Sequence, residues 1–169
     1  MPRGALVVGV ADLLRRPGNQ RDEHLEAALG GLEVLGSRVP EGGQIALDVR
    51  LESLNEGLVV KGTVTAPWQG ECRRCLRTVS SELVADVFEV FEDEPKDGET
   101  SKLDIDRVDL EPLARETVLL ELPLAPLCQA DCAGLCPECG ADRNAGACGH
   151  AVEAPDPRWA ALDELKFEE

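Results

Sequence analysis

Apolar and polar residues alternate most clearly near the middle of the first half of the chain. Ile45, Leu47, Val49 and Leu51 are interleaved with Ala46, Asp48, Arg50 and Glu52. A period of two turns one row toward a core and the other away from it, as in a half-buried strand. Leu58 to Ala66 is a second β-rich run, and Asn55-Glu56-Gly57 between them suits a turn, so the two predict a hairpin. Residues 68–75 interrupt the pattern, and Val79 to Phe91 resumes it. The N-terminal apolar run that ends at Val10 is too short for a secretion signal and predicts a buried first strand.

Helical signals are weaker and lie mostly in the second half. Residues 12–18 read as one helical turn, capped by Asp12 and stopped by Pro17-Gly18. The polar stretch that follows, to about residue 30, is ambiguous, with helix-like spacing through Leu25, Ala28 and Leu29. A real helix is predicted after Asp109, its expected N-cap. Glu111 and Pro112 fall in the first turn, and Leu110, Leu113, Ala114, Thr117 and Val118 form one apolar face. Pro123 and Pro126 bar its continuation. Asp156-Pro157 opens a final short helix carrying Trp159, Leu162 and Leu165.

Strands first and helices later predict an α+β fold, mainly an antiparallel sheet with short helices and a C-terminal cysteine-rich segment. The expected division is a core domain over 1–122, with an acidic mobile loop at 92–102, and a segment over 123–169 packed on it. Only three Phe, two Trp and no Tyr occur among 169 residues, so the core must be aliphatic. Trp68 and Trp159 are expected to pack on it, and His24 to lie on the surface.

The formal net charge of -16 opposes general affinity for nucleic acid, which comes from Lys and Arg on phosphates. It favours attraction to basic partners. No apolar run approaches the ~20 residues that cross a bilayer, and a cytoplasmic, reducing setting is expected. Clustered thiols in that setting point to metal rather than disulfides.

All seven cysteines and His150 fall into one ligand set: Cys72, Cys75, Cys128, Cys132, Cys136, Cys139, Cys148 and His150. Eight ligands suffice for two closed tetrahedral zinc sites. Cys136-Pro-Glu-Cys139-Gly140 is the strongest local motif, because Gly after the second thiolate permits the tight turn around a metal. One partition joins Cys136, Cys139, Cys148 and His150, and leaves Cys72, Cys75, Cys128 and Cys132. The other joins residues 128, 132, 136 and 139, and sends Cys72 and Cys75 to Cys148 and His150. Spacing does not choose between them. Iron in a rubredoxin-like site and a redox pair at Cys72/Cys75, beside Arg73 and Arg74, are the competing chemistries. No hydrolase, phosphate-loop or zinc-protease motif is present, and a fully used ligand set leaves no open catalytic position.

Five segments occur in a telling order: residues 12–18 (DLLRRPG), 70–76 (GECRRCL), 122–128 (LPLAPLC), 134–140 (GLCPECG) and 156–159 (DPRW). Together they resemble the bacterial YceD-like family, the large ribosomal RNA subunit accumulation proteins, in its actinobacterial branch. The resemblance implies a non-enzymatic role in accumulation of large-subunit ribosomal RNA and in ribosome assembly. Family genes often neighbour that of a small basic large-subunit protein. Many members keep the first Cys pair but lose much of the later cluster, so the resemblance implies a metal that is structural rather than the shared active feature.

Two modes of action compete. In one, the acidic surface and the 92–102 loop hold a basic ribosomal protein or a pre-ribosomal particle. In the other, precursor RNA binds a local basic face of Arg73, Arg74, Arg77, Arg143 and Arg158. Thiol redox at Cys72/Cys75 is a third, enzymatic reading.

Overall fold

The computed structural model describes residues 4–146 and 148–150. Five strands form the main sheet in the spatial order β2, β4, β5, β6, β7: β2 (Gln20–Ala28), β4 (Gln44–Ser53), β5 (Leu58–Glu71), β6 (Thr78–Glu92) and β7 (Ser101–Lys102). Neighbours are antiparallel except β6 and β7. The short β3 (Ser37–Arg38) joins β5 beyond the end of β4, opposite Gly70 and Gln69. A second ribbon pairs β1 (Val7–Gly9) with β8 (Arg107–Asp109). One helix, α1 (Glu111–Glu121), packs on β6 and β5.

The predicted hairpin is β4 and β5, with the expected row of β4 facing inward: Ile45, Leu47, Val49 and Leu51 are buried. Against them lie Val60 and Val64 of β5, Leu83, Ala85 and Val87 of β6, and Ala114 and Val118 of α1. The core is aliphatic, with Phe91 as its one buried aromatic among the described residues and Trp68 packed partly against it.

Three local expectations change. The ambiguous stretch around Leu25 is strand, since β2 pairs with β4 along its whole length. Its outward row bonds directly across to β4, with Arg50 Nε donating to Asp22 at 2.7 Å and His24 Nδ1 lying 2.7 Å from Asp48. Its half-buried Arg21 reaches Asp12 at 3.0 Å, so that carboxylate ties the N-terminal turn to β2 rather than capping a helix. Residues 11–18 are turns; Leu14 N–H donates to Val10 C=O, but no helix propagates.

At α1 the N-cap position is Leu110, in a helical conformation, and Asp109 assists from one residue earlier by accepting the Glu111 N–H at 2.9 Å. The acidic loop holds no buried residue from 93 to 99, as expected. It is nevertheless tethered: Lys96 N–H donates to Thr100 Oγ1, Lys102 Nζ donates to the Asp93 carbonyl, and β7 closes it against the end of β6. His24 is a surface residue. Trp159, Arg158 and the final helix fall outside the described residues. Among the described residues no helix is long and apolar enough to cross a membrane.

Candidate metal centres

The β5–β6 hairpin ends in a tight knuckle rather than a simple turn. Cys72 N–H donates to Arg77 C=O at 2.8 Å, and Leu76 N–H returns to Cys72 C=O at 2.9 Å. This wraps backbone amides around the Cys72 and Cys75 thiols. The second knuckle repeats the pattern: Cys136 N–H donates to Ala141 C=O and Gly140 N–H to Cys136 C=O, both at 2.8 Å. Each needs a left-handed residue directly after its second cysteine. Gly140 supplies it at φ 71°, where glycine has no steric cost. Leu76 supplies it at φ 57°, the one non-glycine residue with positive φ among the described residues.

The chain leaving α1 is strapped down beside the first knuckle. Ser37 Oγ donates to Pro123 C=O at 2.8 Å, and Arg73 N–H to Pro126 C=O at 2.9 Å. Gly36 lies so close to the Leu124 carbonyl that any Cβ there would overlap it. The strap delivers Cys128 and Cys132 to the hairpin tip. Cys72, Cys75 and Cys132 are buried and Cys128 half-buried, with Val79, Leu127 and Leu135 packed around them.

The eight candidate ligands gather into two quartets, Cys72/Cys75/Cys128/Cys132 and Cys136/Cys139/Cys148/His150. Within each, one donor atom per residue lies within 4.8 Å of all the others. The crossed partition is not the one the fold assembles. In the first quartet Cys72 and Cys132 Sγ are 3.8 Å apart, and Cys75 and Cys128 Sγ 3.6 Å. A disulfide needs ~2.05 Å. A tetrahedral ion with metal–sulfur bonds of ~2.3 Å places its sulfurs ~3.8 Å apart. In the second, Cys136 Sγ lies 3.7 Å from His150 Nδ1, with Cys139 and His150 exposed. Both clusters could therefore hold a metal ion, the first enclosed and the second open to solvent.

The thiols differ in acidity for local reasons. Burial pushes the Cys72 thiol up, but the backbone N–H groups of Cys128, Cys75 and Arg74 prevail and bring it to about 6. The N–H groups of Cys139 and Glu138 bring Cys136 to about 6. Burial and the neighbouring thiols push Cys128 to about 12. Each quartet thus contains one thiol that is readily a thiolate, and a bound cation would hold the remaining thiols deprotonated.

A polar network ties the loop between Cys139 and Cys148 to the first cluster, and its members carry no motif in the sequence. Asn144 Nδ2 approaches Cys132 Sγ at 3.4 Å and donates to Asp142 Oδ1 at 2.7 Å; Asn144 Oδ1 accepts the Ala133 N–H at 2.8 Å. Asp142 also accepts from Arg77 at 2.8 Å. Arg74 donates to the carbonyls of Cys132 and Ala130 at 2.9 and 3.3 Å. Two arginines of the expected RNA face, Arg74 and Arg77, are thereby engaged in holding the cysteine-rich segment. Short polar residues between Cys139 and Cys148 were the available signal for this loop.

A family model described as Large ribosomal RNA subunit accumulation protein YceD matches residues 60–166. The chain is 41% identical over 170 residues to an uncharacterized protein of Mycobacterium tuberculosis and to one of Mycobacterium bovis, covering 95% of this chain and 81% of each relative. An uncharacterized protein of Mycobacterium leprae is 34% identical over 171 residues, covering 95% of this chain and 77% of its own. No solved structure matches the chain.

Proposed function

The chain belongs to the YceD family, whose name implies a role in accumulation of large-subunit ribosomal RNA, and from that premise we propose that it acts without catalysis by holding a basic ribosomal protein or pre-ribosomal particle. The observation that carries this reading is the net charge of -16. A field of that sign repels free RNA and draws in Lys- and Arg-rich surfaces. Holding such a protein on an acidic surface would shield its charge until RNA displaces it. YceD is not a known enzyme family.

We assign the two quartets as structural zinc sites, the first of them stapling the 123–169 segment onto the 1–122 core. Cys72, Cys75, Cys128 and Cys132 would hold one ion, and Cys136, Cys139, Cys148 and His150 the other. Their ions would fix the hairpin tip and the C-terminal segment as one surface. Direct RNA binding at the first knuckle is the weaker reading, because Arg74 and Arg77 already serve the fold. Thiol redox at Cys72/Cys75 is weaker too, because both thiols sit in a four-sulfur cluster.

The test is binding of the full chain to purified basic proteins of the large ribosomal subunit. Affinity should fall at least about tenfold between low and moderate salt, as expected for contacts dominated by charge. Replacing Asp93, Glu94, Asp97 and Glu99 by Lys should weaken it further. Binding indifferent to both salt and charge reversal would sink the proposal, and RNA crosslinks lost on converting Arg73 to Glu would favour the alternative.

A further inference from the structure

Among the described residues the long strand β6 has one largely unpaired edge. It pairs with β5 from Thr78 to Phe91 on one side, but on the other only Phe91 and Glu92 are paired, to β7. Among the described residues nothing hydrogen-bonds to the outer edge of residues 78–90, which leaves a row of backbone N–H and C=O groups unpaired there. Such an edge is a template for another strand, and proteins usually blunt it with Lys, Pro or a bulge. β6 contains no Lys, Arg or Pro.

Two further features distinguish this edge. Val84 and Phe88 stand on the outward face and are 63% and 67% exposed, although their inward neighbours Leu83, Ala85 and Val87 are buried. Glu82, Asp86 and Glu89 flank them, and none of these is in an ion pair among the described residues. At the opposite edge, by contrast, the acids of β2 are paired with cations: Glu23 with Arg21 of the same strand and Asp22 with Arg50 of β4.

We propose that residues 82–90 of β6 are a docking edge for an extended, basic segment of a partner protein, which adds itself to the sheet as a further strand. This rests on the basic-protein reading above and names where that partner binds. Backbone hydrogen bonds to the free edge supply affinity, and side chains on alternate positions supply specificity. The outward positions facing Val84, Asp86 and Phe88 select an apolar–x–basic–x–apolar pattern, because directly opposed strand residues interact as pairs. A second copy of this chain fits less well: β6 carries no Lys or Arg, so pairing it with itself brings two acidic strands together and gives Glu82 and Asp86 no cation in any register. RNA is disfavoured by the same carboxylates.

The experiment uses the full, metal-loaded chain and individual proteins extracted from large ribosomal subunits by high salt. Each protein is tested at low salt, and hydrogen exchange is followed on the wild-type chain with the tightest binder. Amides within residues 82–90 should exchange at least about tenfold more slowly in the complex. Val84→Lys with Phe88→Lys should reduce affinity by about tenfold or more, with circular dichroism and metal content unchanged. Glu26→Gln with Glu41→Gln changes net charge equally at other exposed positions and should have a much smaller effect. Protection confined to other residues, or equal losses in the two double variants, overturns the edge while leaving a basic partner intact. If no ribosomal protein binds even at low salt, the underlying reading fails and the edge with it.

Discussion

The two knuckles contain a matched experiment on backbone strain. They share one hydrogen-bond pattern and one left-handed position, occupied by Leu76 in the first and Gly140 in the second. A left-handed backbone costs an L-residue ~1–2 kcal/mol, while glycine costs ~0.5–1 kcal/mol in extra unfolded-state freedom. Glycine should therefore be favoured over alanine here by roughly 0.5–1 kcal/mol, as the difference of those two effects. Leu76 is 61% exposed but still makes some contacts, so Leu76→Gly should be read against Leu76→Ala, which removes the same packing. At Gly140 an added Cβ would meet nothing within 4 Å, so Gly140→Ala isolates the backbone term directly.

The expected outcome is a pair of opposite signs. The Leu76→Gly variant should exceed the Leu76→Ala variant by about 1–4 °C in thermal midpoint, and Gly140→Ala should fall by a similar amount, given ~2–4 °C per kcal/mol for a chain of this size. Because closing a knuckle is coupled to binding its ion, zinc affinity in a chelator competition should move about two- to fivefold in the same directions. Equal stability of the Leu76→Ala and Leu76→Gly variants, or a neutral Gly140→Ala, would show that these turns are not held in a strained conformation and would remove the reasoning.

Three further outcomes follow from the site and the sheet. Asn144→Ala should weaken metal binding at the first quartet by about 10- to 100-fold, the usual loss when a group that orients a ligand is removed, and unaltered affinity in a two-site chelator titration would exclude that role. Cys132→Ser should leave one tightly bound ion per chain by native mass spectrometry, whereas two would show that Cys132 is not a required ligand. The Asp48 carboxylate holds the His24 imidazolium above its ordinary value through a hydrogen bond and charge. Stability from that pair is therefore present below the unfolded value of about 6.5 and lost as pH rises through the raised folded value; NMR titration of Asp48→Asn should bring the His24 midpoint down, and no movement would refute the pairing.

What could be read from the chain tracks how local the determining interaction is. The inward row of β4 was legible because Ile45, Leu47, Val49 and Leu51 meet one aliphatic core. Strand β2 was not, because its less exposed row includes Arg21 and Glu23, and part of its order comes from ion pairs to residues 12, 48 and 50. A helical reading of Leu25, Ala28 and Leu29 counts apolar spacing and misses those cross-strand charges. The knuckles were legible as Cys-x-x-Cys, but the grouping of ligands was not. It depends on where the strap 123–126 docks, which is decided by Ser37, Gly36 and Arg73, far away in sequence.

The same distinction separates the cysteines from the surface they organise. A ligand set announces itself because metal chemistry restricts both residue type and spacing, yet the two quartets that could hold a metal take up all eight candidate ligands and, so filled, would leave none of them for another task. An acidic surface announces only a sign of charge. The sheet supplies what composition lacks, because among the described residues it leaves the acidic edge of β6 without a cation while the acids of β2 at the opposite edge are paired with Arg21 and Arg50. Recognition of a basic strand at β6 therefore demands neither the metal nor the arginines as contacts. It demands that the β5–β6 hairpin stay rigid to its tip, which is where the first quartet clasps it. Loss of that clasp should loosen the edge without altering its charge, so metal removal should weaken partner binding mainly through faster dissociation, whereas added salt should mainly slow association.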